Sequence, residues 1–207
     1  MADHQLLIAT TSAGKLREWR HLLADTPYRL LDLREAGIDF DVEETGDTFA
    51  ANARLKAEAY GRASGLLTLA EDSGLCVDAL GGRPGVHSAR WEGDDYAHKN
   101  ALLISLLAGV QDRARACRYV CSVILREPDG RLWETRGEVR GQVALAPAGS
   151  SGFGYDPIFY VPRLEATLAE VPDRAKDRVS HRGRAAQRVR AALMARLEAG
   201  APVLGSA

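Results

Sequence analysis

Residues 6–23 read LLIATTSAGKLREWRHLL, and this stretch decides the fold class. Residues 6–9 are a short apolar run, as a buried strand requires, and they end in Thr10, Thr11, Ser12, Ala13 and Gly14. Leu16, Trp19, Leu22 and Leu23 then recur at helical spacing. Strand, small-residue turn and helix together open an α/β unit. Residues 28–33 read as a second strand. A helix is expected over 48–64, where Phe49, Ala53, Ala59, Tyr60 and Ala63 are spaced for one, and a buried strand over 66–70, closing in Glu71-Asp72-Ser73-Gly74.

Farther along, Asp94 and Asp95 are placed to cap a helix running to about Leu107. Cys117, Tyr119, Cys121, Val123 and Leu125 alternate as one face of a strand. Pro128-Asp129-Gly130 marks a turn, and 132–139 a return strand. An antiparallel piece therefore interrupts the β–α alternation. Ser180 precedes a C-terminal helix with Ala186, Val189, Leu193 and Leu197 on one stripe, and the tail from about 200 is expected to fray. With no repeat and no low-complexity linker, the expectation is a mixed α/β fold: one domain over 1–207.

Composition removes several function classes. Hydrophobic residues at 46% and charged residues at 27% are the balance of a soluble globular protein. A net charge of −1 points to neither nucleic acid nor membrane, so a polyanionic ligand would have to be met by local positive charge. No apolar run approaches the roughly 20 residues of a membrane helix, and the start, MADHQLLIATT, lacks the pattern of a secretion signal. Cys76, Cys117 and Cys121 give no paired framework. Cys117 and Cys121 find no second ligand pair for zinc. A cytoplasmic setting follows, with a redox role for Cys76 left open.

Four segments carry groups suited to phosphate, metal or a flat ligand. Thr10-Thr11-Ser12-Ala13-Gly14-Lys15 sets hydroxyls, helix-start amides and a lysine together, either as a phosphate cradle or as a plain capped helix with a surface lysine. It is not a Walker A loop, because Ala9 and Leu16 stand where that motif needs Gly and Ser or Thr. Glu43-Glu44-Thr45-Gly46 precedes a helix on which Asn52 and Lys56 share the apolar face; Lys56 either meets an anion there or snorkels to solvent. Glu71 and Asp72, with Ser73 beside them, either close a strand as an ordinary acidic turn or sit at its carboxyl end, where α/β proteins bind ligands and carboxylate oxygens suit magnesium. Ser151-Gly152-Phe153-Gly154-Tyr155-Asp156-Pro157 lets backbone approach a flat ligand, with Phe153 or Tyr155 available to stack on a base. Lys176, His181 and Arg182 would supply a positive wall; taken singly, the loop also reads as a glycine-rich turn, Lys176 as a surface lysine and His181-Arg182 as a capping pair.

In order, these segments resemble the Ham1 family of inosine and xanthosine triphosphate pyrophosphatases. The matching stretches are TTSAGK at 10–15, EETGDTFAANARLKA at 43–57, EDSGLCVDALGGRPG at 71–85, SAR at 88–90, SGFGYDPIF at 151–159 and SHRG at 180–183. Two positions depart from the family pattern: Ser12 replaces an asparagine, and Glu71 an aspartate. The resemblance implies a mixed central sheet flanked by helices, a two-lobed architecture of the Maf/Ham1 kind with the active site in the cleft, and a homodimer. It also implies Mg²⁺-dependent hydrolysis of dITP, ITP or XTP to monophosphate and pyrophosphate. Asp72 matches the catalytic acid residue; Glu43 and Asp72, with Glu71 a further candidate, match the metal carboxylates. Lys15, Lys56 and Lys176 would hold the phosphates, and 153–156 with His181 and Arg182 would read the base. Three other classes compete: a Maf-like pyrophosphatase, disfavoured by SHRG and FGYDPIF; a non-catalytic nucleotide sensor, which could dispense with Glu43 or Asp72; and a structural α/β module, which leaves the clustered lysines and carboxylates unexplained.

Overall fold

The computed structural model describes residues 4–200, so the tail from 201 lies outside the described residues. Among the described residues seven strands form one sheet in the order β2-β1-β3-β4-β5-β6-β7. In chain order the elements are β1 (His4–Ala9), α1 (Ala13–Leu22), β2 (Tyr28–Leu31), α2 (Phe49–Ser64), β3 (Leu67–Val77), α3 (Tyr96–Leu106), β4 (Ala116–Arg126), β5 (Leu132–Val143), β6 (Phe159–Val161), β7 (Ala166–Thr167), α4 (Asp173–Val179) and α5 (His181–Glu198). Among the described residues no helix is long and apolar enough to cross a membrane.

The chain forms two compact units. The first comprises the described part of Met1–Asp72, Ser122–Arg136 and Ala185–Ala207. Here β1 runs parallel to β2 and to the first half of β3, with Leu6 opposite both Leu30 and Leu67. This is the arrangement the opening β–α pattern requires. Its core gathers Leu7, Ala9, Ile38, Ala53, Ala57, Tyr60, Ala70 and Ile124. Thr48 caps α2 by accepting from the Ala51 amide, and Gly65 ends it in the left-handed conformation that only glycine adopts at no steric cost.

The second unit comprises Ser73–Cys121 and Gly137–Arg184. Leu75, Val77, Leu103, Cys117, Tyr119, Val139, Tyr155, Phe159 and Leu168 make its core. Asp95 caps α3 through the Ala97 amide. Buried Arg115 donates to the carbonyls of Leu107, Val143 and Ala144, each at 2.8 Å, so its guanidinium closes three backbone acceptors at once.

Three expectations need correction. The strand expected to stop at Ala70 runs through Glu71-Asp72-Ser73-Gly74 to Val77, because lysines meet the charges that made this segment look like a turn. The return strand extends past Val139 to Val143. Gly141 within it marks a close approach, since a Cβ there would lie 2.4 Å from the Tyr160 carbonyl of β6. The second strand ends at Leu31 rather than Leu33.

Candidate active site

In the first unit four segments converge on Asp72. Ser12 caps α1 by accepting from the Lys15 amide, and the Lys15 ammonium lies 3.6 Å from Glu71 Oε1 and 3.9 Å from Asp72 Oδ1. From α2, Asn52 donates to Asp72 Oδ2 at 3.1 Å and accepts from the Gly46 amide at 2.8 Å, tying the 43–46 segment to the strand. Lys56, one turn on, contacts Glu44 Oε1 at 2.5 Å and Asp72 Oδ1 at 3.8 Å. Lys56 therefore faces inward onto anions instead of snorkelling.

Glu71 and Asp72 are almost fully buried. Burial pushes the Asp72 carboxyl above its ordinary value; Lys56 and Lys15 pull it back, Glu44 adds to the rise, and the Asn52 hydrogen bond opposes it. A carboxylate raised in this way subtracts from stability while ionised, and the loss is relieved as pH falls through its folded value. A cation or a proton arriving at Asp72 is therefore welcome there.

Glu43, expected as a metal carboxylate, lies beside Glu44 in a segment of alternating exposure. Residues 41–47 alternate, with 42, 44 and 46 half-buried and 41, 43, 45 and 47 exposed, so Glu44 shares the inward parity of Val42 and Gly46 while Glu43 faces solvent. Period-two reading anchored on Val42 is the signal that would have selected Glu44. Thr11 and Ala13 are exposed; Thr10 is half-buried, and its hydroxyl accepts from the Ser12 amide.

In the second unit, buried Asp156 accepts through Oδ2 from the Phe153 amide at 2.8 Å and from the Lys176 ammonium at 2.7 Å. Lys176, expected to hold phosphate, is thus ion-paired to the acid of the glycine-rich loop. Half-buried Phe153 has Lys176 Nζ at 5.5 Å and Arg182 Cζ at 5.7 Å from its ring centre. Arg182 also donates to Ser73 Oγ at 3.0 Å. His181 opens α5, and the Ser180 hydroxyl accepts from the Gly183 amide as an N-cap does. Tyr155 is corrected as a stacking candidate: it lies in the core, with its hydroxyl donating to the Ser88 carbonyl at 2.9 Å. Phe153 remains the ring of this loop placed among cations. Gly154 meets Asn100, whose amide donates to its carbonyl at 3.2 Å.

Two further residues of this unit escaped the sequence. Fully buried Lys99 donates to the Ala89 carbonyl at 2.6 Å and sits 4.2 Å over the Tyr96 ring, holding the SAR segment; a lysine amid a helical stripe gives no warning of such a role. Tyr119 stacks on His181, 4.4 Å between centres and 9° between planes. Cys76, Cys117 and Cys121 are all buried, and none of them is joined in a disulfide.

Oxygen donors, lysines and a buried carboxylate in one unit, and a cation-flanked aromatic with a paired acid in the other, are the parts a nucleotide-processing protein needs. A 48% identical chain from Gloeobacter violaceus, aligned over 89% of this chain and 91% of its own, is a dITP/XTP pyrophosphatase. So is a 47% identical chain from Symbiobacterium thermophilum, covering 97% of this chain and all of its own. The Ham1 protein of Staphylococcus aureus superposes with a TM-score of 0.82 at 37% identity, over 92% of this chain and 98% of its own. That of Coxiella burnetii gives 0.83 at 35% identity with the same coverage. The sequence profile of the Ham1 family matches residues 6–192, and over that span the chain belongs to the Ham1 family.

Proposed function

We propose that this protein hydrolyses non-canonical purine nucleoside triphosphates (dITP, ITP and XTP) to the monophosphate and pyrophosphate, removing them from the nucleotide pool. The observation that carries this is Asp72: a buried carboxylate held by Asn52, within 4 Å of Lys15 and Lys56. Water attacks the α-phosphorus as Asp72 accepts its proton. A new P–O bond forms, the bond from the α-phosphorus to the bridging oxygen breaks, and pyrophosphate leaves with that oxygen. Lys15, Lys56 and the amides that start α1 offset the charge of the phosphate chain. The names of the relatives above support this substrate class.

A magnesium ion fits the residues present. Among the described residues no cluster of three His, Cys, Asp or Glu forms a ready-made metal cage. Magnesium does not ask for one; it uses one or two carboxylates together with substrate phosphates and waters. Glu71 and Asp72, with Glu44 in the place first given to Glu43, would hold it. Bound there, it would neutralise charge on the leaving pyrophosphate. Reaction in isotopically labelled water tests the bond cleaved: label in the monophosphate is expected, and label in pyrophosphate would overturn attack at the α-phosphorus.

Base choice rests on Phe153, Asp156, His181 and Arg182. A 6-oxo group accepts hydrogen bonds, whereas the amine of adenine would face donors with a donor. Arg182→Ala is therefore expected to narrow the preference for ITP over ATP by about tenfold or more, measured as the ratio of kcat/KM values. An unchanged ratio would move base reading to other residues. Assembly as a homodimer in the cytoplasm completes the proposal, supported by the family resemblance and by three cysteines that remain thiols.

A further inference from the structure

We infer that Tyr119 is the positioning residue for base selection: its ring sets the plane of the His181 imidazole, and its hydroxyl anchors the 151–157 loop. The inference rests on the base-reading role proposed above for that loop and His181. Tyr119 stands on β4, nearly fully buried. Its ring stacks on Phe159 (4.8 Å, 26°) and on His181 (4.4 Å, 9°). Its hydroxyl oxygen accepts from the Tyr155 amide at 3.1 Å.

A core tyrosine would need only the first of these contacts. The other two reach the two elements that carry the base readers, and both elements need fixing from outside. The loop contains Gly152 and Gly154 at φ of +75° and +70°, and glycine confers little order of its own. Its backbone is held by Asp156 at the Phe153 amide, Asn100 at the Gly154 carbonyl, and Tyr119 at the Tyr155 amide. His181 is the first residue of α5, where a side chain keeps rotamer freedom unless something packs against it. A parallel ring contact removes that freedom and decides where the imidazole N–H points. Direction is what separates an acceptor at the 6-position from a donor. Burial and the nearby Asp156 carboxylate push the Tyr119 phenol far above its ordinary value, so the anchor stays neutral.

The test compares kcat and KM for ITP and ATP in the wild type, Tyr119→Phe, Tyr119→Leu, His181→Ala and the Tyr119→Leu/His181→Ala double variant. Tyr119→Phe keeps both stacks and loses the acceptor; KM for ITP is expected to rise about threefold, with kcat changed by less than about twofold. Tyr119→Leu removes the stack and is expected to narrow the ITP:ATP ratio about tenfold, adding less than about twofold in the His181→Ala background. A purely structural role lowers the active fraction for both substrates alike and leaves the ratio intact. Tyr119→Leu with the wild-type ratio, alongside a His181→Ala that loses it, overturns the inference alone. His181→Ala with the wild-type ratio instead overturns the base-reading assignment, and the role of Tyr119 falls with it. Tyr119→Phe, near-isosteric, keeps the test open should Tyr119→Leu fail to fold: an unchanged KM in that variant removes the hydroxyl anchor.

Discussion

Asp72→Asn is expected to lower turnover of ITP by about a thousandfold, the middle of the range for losing a positioned general base. Folding should survive the change. An asparagine can still accept from Asn52, Lys15 keeps Glu71 as a partner, and Lys56 keeps Glu44. The variant also removes a charge whose burial the folded state resists. Triphosphate affinity should therefore change far less than rate. Single-turnover measurements beside equilibrium binding of a non-hydrolysable ITP analogue separate the two. Near-normal turnover would remove Asp72 from the proton step; equal losses in rate and affinity would make it a binding residue.

Gly152→Ala should damage both stability and base recognition. Gly152 has φ of +75°, and a Cβ there would stand 2.2 Å from Asp156 Oδ2 and 2.9 Å from Lys176 Nζ. Asp156 and Lys176 are both nearly fully buried, so neither can swing away to solvent. The left-handed backbone alone costs a non-glycine residue about 1–2 kcal/mol. Separating a buried pair costs about 3–5 kcal/mol, because the charges are left without partners. At about 2–4 °C per kcal/mol for a chain of this size, a fall in Tm of about 10 °C or more is expected. Gly81→Ala is the control: its φ is +64° with open space around a Cβ, so only the backbone contribution applies. Equal shifts in the two variants would contradict the role given to the Asp156–Lys176 pair.

Much of this arrangement is legible from sequence where local chemistry and tertiary packing agree. The strand at Leu6, the helices after Gly14 and over about 48–64, the Asp95 start of α3 and the helix after Ser180 all stand where spacing and capping residues predict. Legibility fails where a distant partner reverses a local signal. Glu71-Asp72-Ser73-Gly74 has turn composition, yet Lys15 and Lys56, far off in sequence, make it habitable as buried strand. Gly141 falls beyond the strand expected at 132–139, because nothing local reveals that β6 passes against it. Tyr155 looks like a ring offered to a ligand; only the fold shows its hydroxyl bound to Ser88. Glu44 is the exception. Its inward parity follows from Val42 two residues earlier, an alternation that can be read from the sequence.

The measurement that bears most directly on the central claim is pyrophosphate release from ITP, dITP, XTP, GTP and ATP, with and without magnesium. Magnesium-dependent release from the first three, at least about a hundredfold above ATP in kcat/KM, is the predicted result. Release of orthophosphate in place of pyrophosphate, or ATP turned over as fast as ITP, would contradict it.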